Sequence, residues 1–139
     1  MDTLKLFEES LLYFYEEVRV NTYKNWIFDD SSDCNVEKMA EAGFIFVGDE
    51  DERDAVKCFF CNKHLDGWES TDNPWKEHLK HAPNCSFAKL ETSQNNITLD
   101  QALKLRRDYL INILNAHFND IDNELTNTLK KAKVQIKKS

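Results

Sequence analysis

The sequence predicts an α+β fold: a small zinc-binding domain, built on a short three-stranded antiparallel sheet with short helices, followed by one long C-terminal α-helix. Three observations carry this expectation. Cys58, Cys61, His78 and Cys85 stand in the spacing Cys-x2-Cys-x16-His-x6-Cys, and three thiolates with one imidazole close a tetrahedral shell around Zn²⁺. Short apolar runs broken by turn residues surround that motif, as in a small sheet. From Thr98 onward no Gly or Pro interrupts a helical pattern of roughly forty residues, which would extend ~60 Å.

The elements follow in chain order. Leu4, Phe7, Leu11, Phe14 and Val18 recur at steps of three and four, so residues 4–18 read as one amphipathic helix capped by Asp2 or Thr3. Residues 36–42 read as a short helix stopped by Gly43. Phe44 to Val47 is a strand, the acidic run 49–54 a solvated turn, and Ala55 to Phe60 a second strand that delivers the CxxC. A third strand is expected near Leu65 to Trp68. Asn73 and Pro74 start another helix, as cap and first helical residue, and Pro83 ends it. Thr98 and Gln101 form a capping box for the long helix, with Ile97 as hydrophobic staple.

That helix repeats every eleven residues. Leu103, Leu114, Leu125 and Ile136 form one row; Leu99, Leu110, Ile121 and Ala132 form another; Phe118 and Leu129 add a third. Eleven residues over three turns give a nearly straight stripe. It runs past anything a small domain covers, so it predicts a protein partner. The domains expected are an N-terminal helical extension (1–13), the zinc domain (14–90), a linker (91–97) and the partner-binding helix with a basic tail (98–139).

Charge divides the same way. Residues 1–90 carry 10 Lys and Arg against 19 Asp and Glu, whereas residues 91–139 carry 8 against 6. An acidic zinc domain suits a basic partner, and the lysine-rich tail suits an anionic one, or is a solvated helix end. The single cysteine outside the motif, Cys34, argues against a disulfide framework and for a reducing compartment; it reads as a small buried or semi-exposed thiol rather than a nucleophile. No apolar run approaches the ~20 residues that span a bilayer. Four protein ligands leave the metal no open position, so zinc hydrolysis is disfavoured and the metal is expected to be structural.

Arg19-Val-Asn-Thr-Tyr-Lys-Asn-Trp26, Met39-Ala-Glu-Ala-Gly-Phe-Ile45, Cys58-Phe-Phe-Cys61, Leu65-Asp-Gly-Trp68 and His78-x6-Cys85 together resemble the BIR (baculovirus IAP repeat) family. One BIR followed by one long helix is similar to its survivin-type members. The resemblance implies a non-enzymatic subunit of the chromosomal passenger complex, acting in mitosis at the nucleus, centromere and spindle midzone, and present in the cytoplasm. It implies that the long helix bundles with borealin-like and INCENP-like helices, the latter linking Aurora B kinase. It implies that the BIR groove reads the free N-terminus of a phosphorylated histone tail.

In that groove Asp66 and Asp72 would hold the α-amino group, Trp68 would wall the first side chain, and Lys63 and His81 would meet the phosphate. Each has a plainer reading: Asp66 and Asp72 as turn residues, Trp68 as core, His81 as a solvated histidine. Asp66 stands where the family carries Glu, and Trp75 and His64 depart from the family near the groove rim. Gln94 and Ala102 replace aromatic residues of the family's homodimer contact, which predicts that this dimer is absent and that the N-terminal helix covers the face instead. Asn35-Val36 replaces a Thr-Pro phosphorylation site. Caspase inhibition, known among BIR proteins, is the alternative, although no extended inhibitory linker precedes the domain; a RING ligase is disfavoured because no cysteines remain for one.

Overall fold

The computed structural model describes residues 3–138. Helices α1 (Thr3–Leu12) and α2 (Glu16–Val20) precede α3 (Val36–Glu41), the strands β1 (Phe44–Phe46), β2 (Val56–Cys58) and β3 (His64–Leu65), then α4 (Pro74–His81) and α5 (Leu99–Lys138). The sheet has order β1-β2-β3 and both pairings are antiparallel, with Phe44 opposite Cys58 and Val56 opposite Leu65.

The local chemistry explains these limits. Asn35 caps α3 by accepting from the Lys38 N–H. That helix stops at Gly43, whose φ of +98° suits glycine, and a Cβ there would sit 2.8 Å from the Phe87 ring. Asn73 caps α4 with Pro74 in its first turn. Thr98 and Gln101 exchange the bonds of a capping box: the Thr98 N–H donates to Gln101 Oε1, and the Gln101 N–H donates to Thr98 Oγ1.

The three strands and two helices differ from expectation: β1 stops at Phe46 rather than Val47, and α3 at Glu41 rather than Ala42. β2 ends at Cys58 because the chain turns there: the Asn62 N–H donates to the Cys58 carbonyl, and only the Phe59 N–H, bonded to the Gly43 carbonyl, carries the β1 register one residue further. β3 is His64–Leu65 rather than 65–68, because the chain turns at Gly67 with φ +72°. The expected helix 4–18 is two helices broken at Tyr13 to Tyr15. The break has a cause in Arg19. Its side chain is fully buried and donates to the carbonyls of Tyr13 and Phe14, which an unbroken helix would engage in its own ladder. The cap Asp2 and the side chain of Leu4 lie outside the described residues.

The core joins all of these elements. Met39, Phe44, Val56 and Phe87 are fully buried, and α5 reaches the same cluster through Leu105 and Tyr109. Tyr109 packs between Phe14, Phe59 and Phe60, and its hydroxyl donates to the Ser10 carbonyl of α1. Phe7 of α1 meets His117 of α5, at 5.7 Å between ring centroids. The long helix is therefore seated on the domain and on α1 by one face, while its distal turns run free of both.

That seated face is not the predicted stripe. Leu105, Tyr109 and Ile113 pack inward, with Ala102 half-buried beside them, whereas Leu99, Leu103, Leu114, Phe118, Ile121, Leu125 and Leu129 are exposed. At ~100° per residue the two faces lie roughly 140° apart. Leu110, between them, is half-buried. The Ile136 side chain lies outside the described residues.

Candidate zinc centre and peptide groove

The metal ligands come from two places. Cys58 ends β2, and Cys61 follows a turn held by two backbone bonds: Cys58 N–H to the Lys63 carbonyl, and Asn62 N–H to the Cys58 carbonyl. Asn62 takes φ +63°, a left-handed position that Asn tolerates. The N–H groups of Phe60 and Cys61 point at Cys58 Sγ from 3.3 and 3.5 Å, which stabilises a thiolate there. His78 lies on the inner side of α4, and Cys85 follows that helix.

These residues form one cluster. One ligand atom from each of the four lies within 4.8 Å of the others, and Cys61 Sγ is 3.8 Å from His78 Nε2. A tetrahedron with bonds of ~2.3 Å to sulfur and ~2.0 Å to nitrogen has edges near those lengths. His78 Nδ1 donates to the Ala42 carbonyl at 2.7 Å, leaving Nε2 as the lone-pair atom that faces the thiols. The donor set is that of a closed structural zinc site, and it fits one ion.

The cluster's acidities suit a metal. Burial, together with the neighbouring thiols, holds the Cys58 thiol up. Hydrogen bonds from Cys58 and Cys85 pull Cys61 down to a thiolate. Burial works against a charged His78, yet its contacts with Cys61 and Cys85 win and raise it to about 9. A proton and a divalent ion thus compete for the same lone pairs, and zinc binding must release protons.

Beside α4, a small cavity of about 30 Å³ is lined by Leu65, Asp66, Gly67, Trp68, Asp72, Glu77 and His81. Asp66, Trp68, Asp72 and His81, separate in sequence, are brought together there. Lys63 is not among the lining; it lines a neighbouring surface hollow with Cys61 and Pro83, and His81 borders both. Trp68 is both wall and core: it is 7% exposed and meets Phe44 edge-on. Its buried Nε1 has no hydrogen-bond partner among the described residues, a donor that costs ~1–3 kcal/mol until something meets it.

Two residues of the site escaped the sequence reading. Glu77 adds a third carboxylate and lies 3.4 Å from His81 Nε2, one helical turn away. Its spacing from His81 was the available signal. Asp54, placed by expectation in a solvated run, accepts the N–H groups of both Gly67 and Trp68 at 2.8 and 2.9 Å. It fixes the turn that carries the groove, and nothing in an acidic run marks one member as an anchor. Asp72 does the same for the next turn, accepting from the Glu69 N–H while half-exposed. Trp75 does not border the cavity; it stacks on Phe87 at 5.5 Å. His64 is an exposed residue of β3 and does not border it either.

The arrangement offers three carboxylates, an indole wall and a histidine around room for a group the size of a methyl. Carboxylates favour an ammonium, and the wall favours a small apolar side chain.

Comparison with known proteins agrees with this geometry. The family model "BIR: Inhibitor of Apoptosis domain" matches residues 19–89. Baculoviral IAP repeat-containing protein 5 of Mus musculus is 39% identical over 123 residues, 88% of each chain. The protein of that name from Cavia porcellus is 40% identical over 120 residues, 86% of this chain and 84% of its own. Baculoviral IAP repeat-containing protein 5.2 of Xenopus tropicalis is 45% identical over 87 residues, 63% of this chain and 56% of its own. With its four zinc ligands clustered and a single long helix after the domain, this chain belongs to the BIR family and, within it, to the survivin type.

Proposed function

We propose that this chain is a non-enzymatic subunit of the chromosomal passenger complex: its outer α5 face bundles with borealin-like and INCENP-like helices, and its BIR groove reads a histone N-terminus, so that Aurora B kinase is brought to centromeric chromatin in mitosis. The observation that carries the reading is the outer face of α5. Leu103, Phe118, Leu125 and Leu129 are each more than half exposed along ~40 Å of helix, while the opposite face is committed to the domain and α1 as far as His117. An apolar stripe of that length is an interaction surface of the helix-in-bundle kind. The acidic cavity supports the second half of the reading. An α-amino group would sit among Asp66, Asp72 and Glu77, and a phosphate further along would meet His81 and Lys63.

The test is capture of borealin-like and INCENP-like helices by the full chain, with Leu114, Ile121 and Leu125 changed together to Glu in the comparison. Loss of capture is expected; retained capture sinks the scaffold reading. In parallel, a histone tail phosphorylated at its third residue should bind more tightly than the unmodified tail, and Lys63→Ala with His81→Ala should erase the difference. Inhibition of a purified caspase near stoichiometric concentration would reverse the ranking in favour of the caspase inhibitor.

A further inference from the structure

We infer that the last turns of α5 carry a binding surface for the phosphate backbone of duplex DNA. After Glu124 the chain has five lysines and no acid, while residues 1–124 carry a net charge of −12. The cationic segment is therefore set apart from an otherwise acidic molecule. Lys130, Lys131 and Lys133 are exposed on α5, which continues through Lys138. At ~100° per residue all five lysine positions fall on one arc of roughly 160°. Leu125, Leu129 and Ala132 occupy the opposite side of the same turns, so the apolar stripe and the lysine face do not overlap, and the one apolar residue within the lysine arc is the half-exposed Val134.

Distance isolates this face from the acidic domain. Among the described residues the outermost ring contact of α5 with the rest of the chain is His117 against Phe7, and Lys130 lies ~20 Å further along the axis. Glu124, the last acid, is ~9 Å before Lys130. The Debye length at physiological ionic strength is ~8 Å, so the domain's negative field is screened where the lysines begin.

The choice of partner follows from the two faces. A membrane surface would need the apolar side of these turns, which on the proposed function is taken by partner helices; that part of the inference rests on that reading. A phosphodiester backbone needs only the lysine side. Lysines on a rigid helix offer point charges without the bidentate forks that select carboxylates, and they suit a polyanion carrying one charge per ~1.7 Å of axis.

The experiment is an anisotropy titration of a labelled duplex of about 30 base pairs with the full chain, between 50 and 200 mM NaCl. The variant Lys130→Gln/Lys131→Gln/Lys133→Gln should bind at least ~10-fold more weakly at the lower salt, with a log–log salt slope shallower by about 2.7, at ~0.9 per phosphate contact. The matching Lys→Arg variant should bind as the parent does, and circular dichroism should show unchanged helix in both. The proposal is overturned if the Gln variant binds like the parent, if the Arg variant loses binding as the Gln variant does, or if phosphatidylserine vesicles or polyglutamate bind the parent as tightly as the duplex. The Gln variant should still capture the partner helices. Failure of the parent to capture them would sink the proposed function, while the duplex titration of the isolated chain would still decide this inference.

Discussion

Arg19 Nη2 donates to Gln94 Oε1 at 2.7 Å, and Gln94 Nε2 in turn donates to the Phe14 carbonyl at 3.1 Å. This closes a loop between the N-terminal helices and the segment leading into α5. The Gln94 amide is spent inside the molecule. Arg19 also donates to the Ala40 carbonyl and lies over the Phe59 ring, 4.5 Å from its centroid. Burial lowers its guanidinium to about 10, which leaves it charged at neutral pH.

Arg19→Met should therefore destabilise the fold by ~3 kcal/mol or more, because three carbonyls lose a charged donor in a dry site. Gln94→Ala should cost ~1–2 kcal/mol, since Arg19 keeps its other partners. Urea unfolding of both variants measures this. A Gln94→Ala loss as large as that of Arg19→Met would mean that the amide, and not the guanidinium, organises the junction.

The stability should fall on the alkaline side. Tyr23 and Tyr109 are buried phenols that donate to the Phe44 and Ser10 carbonyls, and burial raises both above the ordinary value of 10.0 against a smaller opposite effect of Arg19. An acid whose folded pKa is raised stabilises the fold fully below its unfolded pKa, and that contribution is lost as pH rises beyond it. The urea midpoint should decline above about pH 10, and Tyr23→Phe should make the decline shallower. Absorbance at 295 nm would show ionisation of these phenols coinciding with unfolding; ionisation of both in the folded state would refute the assignment.

What the sequence disclosed, and what it hid, divides along a physical line. Local chemistry was legible: the ligand spacing, Asn73 before Pro74, Gly43 as a stop and the Thr98–Gln101 box all act over a few residues. The outer stripe of α5 was legible because it is long and regular. The inner face was not, since Leu105, Tyr109 and Ile113 become a core only once α1 and the sheet are in place. The break at Tyr13 to Tyr15 was hidden for the same reason: a good helical period yielded to carbonyls claimed by a buried Arg19. Asp54 was hidden because one carboxylate in a run looks like the next until a turn folds over it.

Asp54→Ala should therefore loosen the groove more than the zinc site. It removes an acceptor shared by two N–H groups, worth ~1–2 kcal/mol at a half-buried position, and it should weaken histone-tail binding by about 10-fold. Zinc content by metal analysis should stay at one per chain. An unchanged tail affinity would show that the Gly67 turn holds its shape without Asp54.

The isolated chain should be a monomer. Phe14 stacks on Tyr109 with 5.7 Å between centroids, Phe7 meets His117, and a cavity of about 190 Å³ remains between α1, the sheet and α5. Helix α1, with Phe14 just after it, thus covers an aromatic face of α5 and the sheet. Deleting residues 1–12 should uncover it and shift the mass measured by light scattering toward a dimer at micromolar concentration. A full-length chain that is already a stable dimer would remove this role from α1.

Zinc loss should separate the two halves of the molecule. The ion would tie the end of β2 to α4, and the groove residues Asp66, Trp68 and Asp72 lie on the chain between Cys61 and His78, with His81 one turn beyond. Without it, a thiolate and a charged His78 are left in a largely buried cluster, and the sheet–helix angle loses the restraint that the ion's four bonds would supply; structural zinc commonly supplies ~10 kcal/mol or more to such small domains. Chelation, or Cys58→Ser, should therefore abolish histone-tail binding. The exposed face from Phe118 to Leu129 is built on the helix's own backbone and on no contact with the zinc ligands, so capture of partner helices should persist at reduced affinity. Parallel capture and peptide titrations on the Cys58→Ser chain decide this. If both activities vanish together, the distal helix depends on the domain for its form, and the free face seen here is not independent of the metal.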